Sequence, residues 1–186
     1  MYARSRICDT MLRLMEHKPY SKVKISELIE EAGVSRSTFY FYFESILSVI
    51  DTLEDDLLSK LPDDEALAAQ YQLARDGAVG SIATAGLVAK RMEKQLDVFR
   101  ILSGPNGRND FQEKFRKKSL HMLRLMSSRS VGDKSTSLLS EFWAGSQWYV
   151  YKWWANKESN LSAQELIDLT VIAMKDLKML FLNLPG

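Results

Sequence analysis

The sequence predicts an all-α protein: an N-terminal three-helix helix-turn-helix domain followed by a C-terminal helical bundle. Three observations predict this. Apolar residues recur at helical spacing along almost the whole chain. Only four prolines interrupt it, at positions 19, 62, 105 and 185. No alternating run is long enough to suggest a sheet.

Ile7, Met11, Leu14 and Met15 recur at i, i+4, i+7 and i+8 and define a first amphipathic helix. Lys18-Pro19-Tyr20 ends it, because the residue before proline is pushed out of the helical region. Ile25, Leu28, Ile29 and Ala32 make one stripe of a short second helix, and Gly33 stops it as a C-cap glycine would. Ser35 is a good N-cap for a third helix of about two turns. A fourth helix is expected from Glu44 to Leu61, with Leu47, Ile50, Leu57 and Leu58 as its apolar side.

Residues 62–80 are acidic, then Ala- and Gly-containing, and suggest a weak helix with a loop at a domain boundary. Longer helical patterns follow at 80–103, 109–128, 135–156 and 162–183. The stretch SGPNGRND, 103–110, lacks the spacing of a phosphate-binding loop and follows no strand, so it reads as a plain turn. Ser162 and Glu165 form a capping box that opens the last helix.

The third helix poses a problem of its own. It ends in five consecutive aromatic residues, Phe39 to Phe43, and a helix turning about 100° per residue cannot bury all five. Phe39 and Phe43, spaced i, i+4, face the core with Val34 just outside. Arg36 with Tyr40 and Ser37 with Phe41 then share the outward face, flanked by Thr38 and Tyr42. Two short helices joined by Ala-Gly-Val, the second opened by serine, make the pattern of a helix-turn-helix. Its second helix lies in the DNA major groove with its N-terminal residues at base edges. Arg36 offers a bidentate fork to guanine and Phe41 an apolar contact to a thymine methyl. The tyrosine hydroxyls suit phosphate oxygens.

The stretch ISELIEEAGVSRSTFYFYF resembles the signature of the tetracycline-repressor (TetR) family of bacterial transcriptional regulators, whose pattern runs from an I-A-x-x-A-G-V-S turn into T-F-Y-x-x-F at residues 28–43. SEFWAGSQWYVYKWWANKESNLSAQEL and ILSGPNGRNDFQEKF are similar to the branch that includes regulators of dihydroxyacetone kinase genes. The resemblance implies residues 1–50 as a helix-turn-helix DNA-binding domain and 51–186 as a dimerisation and effector-binding domain. It implies a DNA-contacting set of Lys24, Ser26, Ser35, Arg36, Ser37, Thr38, Tyr40, Phe41 and Tyr42. Three positions depart from the family's habit. Ile46 stands where a phosphate-gripping lysine is usual, Lys24 where a threonine caps the second helix, and Tyr42 where histidine is common.

Other chemistry is thinly represented. The net charge is +1, so any polyanion contact must come from placed residues rather than bulk field. Residues 51–75 carry two basic and seven acidic groups, and residues 111–135 seven and two. Lys114, Arg116, Lys117, Lys118 and Arg124 read as a solvated helix face. The two histidines, His17 and His121, have no Cys, Asp or Glu at metal-ligand spacing, and no serine sits in a nucleophile-elbow pattern. No enzyme, metal or cofactor is expected. Cys8, the single cysteine, excludes an internal disulfide framework and suits a reducing cytoplasm. Residues 1–17 have no signal-peptide core, and Leu138 to Ala155 are too polar for a membrane span. The expected location is cytoplasmic, with no membrane partner.

The aromatic cluster around Trp143, Gln147, Trp148 and Tyr151 reads either as core and subunit interface or as the wall of an effector pocket. The final helix is apolar over most of its circumference, so a second subunit is expected to cover it. The resemblance implies a homodimer through the last two helices. The whole reading is a dimeric repressor of TetR type that binds operator DNA under control of a small-molecule effector. A second reading keeps the scaffold but acts through a partner protein, with weak or no direct DNA binding.

Overall fold

The computed structural model describes residues 3–61, 88–126, 134–156, 160–169 and 172. It is helical, with no strand among the described residues. The expected weak helix and boundary at 62–80 lie outside them, as does most of the final helix. The chain divides into two compact units, one drawn from residues 1–60 and 97–118, the other from 61–96 and 119–186.

The first unit begins with α1 (Ala3–Met15), whose stripe of Ile7, Met11, Leu14 and Met15 is buried as the spacing predicts. Cys8 is buried beside them, and burial pushes its thiol up to about 11, where it is an inert apolar residue. A 3-10 turn at Tyr20–Lys22 follows Pro19 and was not legible in the periodicity. Next come α2 (Ile25–Ala32), α3 (Arg36–Tyr42) and α4 (Ile46–Leu58). α1 packs on all three. Leu28, Phe39, Val49 and Ile50 complete this core with no exposed surface.

α4 is shorter than its apolar pattern suggests. Ser45 caps it by accepting the Ser48 N–H at 3.2 Å, while the Ser48 hydroxyl accepts the Ser45 N–H at 3.1 Å. That reciprocal cap fixes the start at Ile46. Val49, Ile50, Leu53 and Leu57 then turn inward, and Leu47, expected on the apolar side, is instead 46% exposed in the first turn.

The expected single helix at 80–103 is broken. Residues 88–93 are helical, a turn at 94–95 intervenes, and α5 (Leu96–Leu102) begins afresh. Phe99 of α5 stacks at 6.2 Å from Phe111 and 5.6 Å from Phe115 of α6 (Phe111–Met126), all three buried.

The 103–110 turn is a dock. Asn106 donates its Nδ2 to the Met15 carbonyl at 2.8 Å and accepts the Tyr20 N–H at 3.0 Å, which satisfies groups left over where α1 ends. Gly107 is dictated by space, since a Cβ there would lie 2.7 Å from the Leu102 carbonyl carbon.

Charge joins the same turn to α4. Glu54 is fully buried, with Lys114 Nζ 2.7 Å from its Oε2 and Arg108 Nε 3.9 Å from its Oε1. Neither oxygen accepts a well-directed hydrogen bond. Asp51 takes Arg108 at 2.5 Å and Lys114 at 2.8 Å, and Arg108 also pairs with Asp110. Of the basic run on α6, Lys114 is therefore committed inward, and Arg116 is paired with Glu113 at 2.8 Å.

In the second unit α7 (Lys134–Trp154) has two apolar faces. Ala144, Trp148, Tyr151 and Trp154 are buried on one, and the Trp154 indole N–H donates to the Leu161 carbonyl at 2.7 Å. Leu138, Phe142, Tyr149 and Trp153 are exposed on the opposite side. The capping box at Ser162 forms as expected, with Glu165 N–H donating to its hydroxyl at 3.3 Å and Ser162 N–H to the Glu165 carboxylate at 2.8 Å.

Candidate nucleic-acid interface

The turn between α2 and α3 is built from backbone chemistry. Gly33 adopts φ 59°, ψ 43°, the left-handed conformation that lets α2 end within one residue, and the Val34 N–H returns to the Ile29 carbonyl at 3.0 Å. Arg6 of α1 then donates its Nη2 to the Gly33 carbonyl at 2.8 Å. This hydrogen bond to a charged donor pins the turn to α1 and so fixes the direction in which α3 leaves. Nothing in the sequence spacing marks Arg6 for that role, because its partner is a main-chain atom 27 residues away.

Ser35 caps α3, accepting the Thr38 N–H at 3.0 Å. Its hydroxyl also meets those of Ser37 at 2.9 Å and Thr38 at 2.7 Å, so three hydroxyls share one network at the tip of the helix. Phe39 and Phe43 are buried and 6.0 Å apart between ring centroids, as the i, i+4 spacing predicts. They lock the helix by its inner face.

The outer face is exposed. The Arg36 guanidinium lies 5.7 Å from the Tyr40 ring centroid, a cation–π contact that holds its fork in a restricted position. Tyr40 also meets Phe39 edge-on at 5.4 Å. Phe41 is 80% exposed and touches Tyr42 at 4.9 Å with the rings at 90°. Ser35, Arg36, Ser37, Tyr40, Phe41 and Tyr42 are all exposed, and Thr38 is half-buried.

Lys24 and Ser26, at the start of α2, are exposed as well. Lys24 occupies the N-cap position and makes no side-chain cap, which leaves its ammonium in solvent. Close by, Lys18 pairs with Glu27, and that hydrogen bond holds the Glu27 carboxyl below its usual range. The arginines ahead of the apolar stripe turn back on the protein, Arg4 to Asp56 at 3.4 Å and Arg6 to the turn. Arg36 is thus the only charged side chain on α3, at the end nearest the turn.

Residues 7–50 match the model of bacterial regulatory proteins of the tetR family. The N-terminal domain is a TetR-family helix-turn-helix domain. Its sequence is 41% identical over 54 residues to the HTH-type transcriptional regulator EthR of Mycolicibacterium smegmatis, which is 29% of this chain and 25% of that protein. EthR of Mycobacterium tuberculosis is 39% identical over the same length, with the same coverage. The chain thus spans about a quarter of the length of the curated relatives it matches.

Fold likeness extends further than sequence. A TetR transcriptional regulator from Streptococcus agalactiae 2603V superposes with a TM-score of 0.61 at 23% identity, covering 90% of each chain. The dihydroxyacetone kinase operon activator DhaS superposes at 0.63 with 14% identity, covering 96% of this chain and 97% of that one. These two share the fold of this chain.

The second candidate site is less complete. Trp148 and Tyr151 are buried on the inner face of α7, Gln147 is half-buried, and the Trp143 side chain lies outside the described residues. Burial pushes the Tyr151 hydroxyl above its ordinary range, so it stays a neutral phenol. Among the described residues no group of three or more His, Cys, Asp or Glu could hold a metal ion, and no helix is long and apolar enough to cross a membrane.

Proposed function

We propose that the chain is a DNA-binding transcriptional regulator of TetR type that acts by binding rather than catalysis, in the cytoplasm, as a repressor. The reading rests on one observation above all. α3 is anchored by Phe39 and Phe43, yet it displays Arg36, Tyr40, Phe41 and Tyr42 to solvent on the face a helix-turn-helix turns toward the major groove. Exposed aromatics cost water contacts, and base edges and sugar–phosphate surface would cover them. The DNA-contacting set is Lys24, Ser26, Ser35, Arg36, Ser37, Thr38, Tyr40, Phe41 and Tyr42, within residues 1–50.

Residues 51–186 dimerise and receive a small-molecule effector in this reading. The outer stripe of α7, running about 22 Å from Leu138 to Trp153, supports pairing of two copies. Leu169, 49% exposed, and Ile172, 55% exposed, extend apolar surface onto the last helix. Gln147, Trp148 and Tyr151 supply an aromatic wall with a polar handle for an effector. Effector binding acts only if the two states of the dimer bind it with different affinity.

The test is Arg36→Ala. It should lose about 1–3 kcal/mol at a preferred operator and little on random duplex, measured by fluorescence anisotropy. Equal losses on both would make Arg36 a phosphate contact. One observation favours the second reading, action through a partner protein: exposed Leu47 and half-buried Ile46 at the head of α4 are apolar where a phosphate grip would need charge. Binding to the DNA upstream of the chain's own gene, with and without cell extract, separates the two.

A further inference from the structure

We infer that Asn106, in the turn between α5 and α6, is a positioning residue for α3, and that it acts through α1 and Arg6. The inference rests on the DNA-binding reading above and extends it to a residue outside α2 and α3.

α1 is tied at both ends by hydrogen bonds to main-chain carbonyls. At its C-terminus the Met15 carbonyl, one of the helix's orphan acceptors, takes the Asn106 side-chain Nδ2 at 2.8 Å. Just beyond, the Tyr20 N–H donates to the Asn106 main-chain carbonyl at 3.0 Å. Arg100 of α5 adds an ion pair to Glu16 at 3.1 Å. Nine residues before Met15, about 14 Å along the helix axis, Arg6 donates to the Gly33 carbonyl at 2.8 Å. Gly33 stands two residues ahead of Ser35, the cap of α3, and is left-handed, so a displaced carbonyl there re-aims α3.

α1 links these ties stiffly. Ala3–Met15 contains no glycine or proline, and its stripe of Ile7, Met11, Leu14 and Met15 is buried. Such a helix moves as one body. Loosening its C-terminal end tilts the whole, and the Arg6 side chain carries the tilt to the turn. Arg4 meets Asp56 of α4 at 3.4 Å near the same end, but both side chains are about half exposed and the pair holds weakly. Asn106 thereby helps to set the direction of α3 from the far end of α1.

The test is a double-mutant cycle on the full chain. It uses a duplex that the wild type selects from a random-sequence library and random duplex of the same length, and it reads the ratio of the two affinities. That ratio cancels an unfolded fraction and the charge lost with Arg6, since both weaken selected and random duplex alike. Asn106→Ala keeps the main-chain carbonyl that Tyr20 uses, and it should lower the ratio about fivefold per half-site, the net effect of one hydrogen bond. Arg6→Ala should do the same. With Arg6 gone, α1 no longer reaches the turn, so the double variant should stay near fivefold, where independent effects would multiply to about twenty-five-fold. Without DNA, the Val34 amide, which closes the turn onto Ile29, should exchange about fivefold faster in Asn106→Ala, while amides in the middle of α4 keep their wild-type rates. If either single variant keeps the wild-type ratio, if the two losses multiply, or if the Val34 rate is unchanged, the inference is overturned while DNA binding stands. If the wild-type chain selects no sequence at all, the DNA-binding reading fails and the inference falls with it.

Discussion

Glu54 and its surroundings argue at the scale of single residues. Burial pushes its carboxyl up, and Lys114 and Arg108 pull it partly back. Asp51 moves the other way, held below its usual range chiefly by the hydrogen bond from Lys114, and Asp110 likewise by Arg108. The signs follow. Glu54 binds its proton more tightly folded than unfolded, so its contribution to stability is fullest below about pH 4.5 and declines as pH rises through its folded pKa. Asp51 and Asp110 contribute above about pH 4 and lose that contribution as pH falls through their lowered values. Lys114→Ala strands a buried carboxylate and should cost roughly 3–5 kcal/mol at pH 7, less at pH 5, where Glu54 more readily takes a proton. Glu54→Gln leaves both cations their aspartates and should cost less at either pH. Urea titrations at the two pH values check the ordering; equal losses for Lys114→Ala at pH 5 and pH 7 would mean that Glu54 does not change its protonation between them.

Gly107 belongs to the same scale. A methyl there has no room beside the Leu102 carbonyl, so Gly107→Ala must shift the backbone of the dock. The expected loss is about 1–3 kcal/mol in chemical denaturation. Retained wild-type stability would mean the 103–110 turn moves freely.

Elements were legible wherever their cause was local. The stripe of α1, the glycine stop at Gly33, the serine caps at Ser35 and Ser162, and the inward pair Phe39 and Phe43 each depend on residues within a turn or two, and spacing finds them. The outward set on α3 followed from the same periodicity. What depends on distant partners did not show. Asp51 and Glu54 stood among the seven acidic groups of residues 51–75 with nothing to mark their partners, because Arg108 and Lys114 lie some sixty residues downstream. Leu47 was read as core because the reciprocal Ser45–Ser48 cap, which sets the first turn of α4, is invisible to hydrophobic spacing. Gln95 turns back to the Met92 carbonyl at 2.8 Å where an unbroken helix was expected.

The head of α4 carries its own expectation. Ile46 is the first residue of that helix and half-buried. If the helix start abuts phosphates beside α3, Ile46→Lys adds one ionic contact per subunit. The log–log salt dependence of binding should steepen by roughly 0.9 per contact, about 1.8 for a dimer, on operator and random duplex alike. A cation at a helix N-terminus is slightly unfavourable, so the melting temperature should drop only a little. An unchanged slope with a normal melt would place residue 46 away from DNA.

At the scale of the whole molecule, the second unit leaves one aromatic stripe of α7 and the exposed Leu169 and Ile172 uncovered. Truncation at Ser162 removes Leu166 and Ile167, which are buried, together with those exposed apolar residues. The shortened chain should yield no monodisperse dimer in analytical ultracentrifugation. A well-folded monomer would count decisively against assembly through the last helices.

The first unit is discontinuous along the chain, drawn from residues 1–60 and 97–118. During synthesis at roughly 5–20 residues per second, the N-terminal helices leave the ribosome seconds before the segment that docks beneath them. Until Asn106 arrives, the Met15 carbonyl and the Tyr20 amide are left to water, and until Arg108 and Lys114 arrive Glu54 has no cation to face. The first unit therefore cannot reach its final stability as a nascent fragment. Its maturation is timed by the emergence of a stretch far downstream, so a chain broken off before residue 106 carries α3 without the contacts that support its unit.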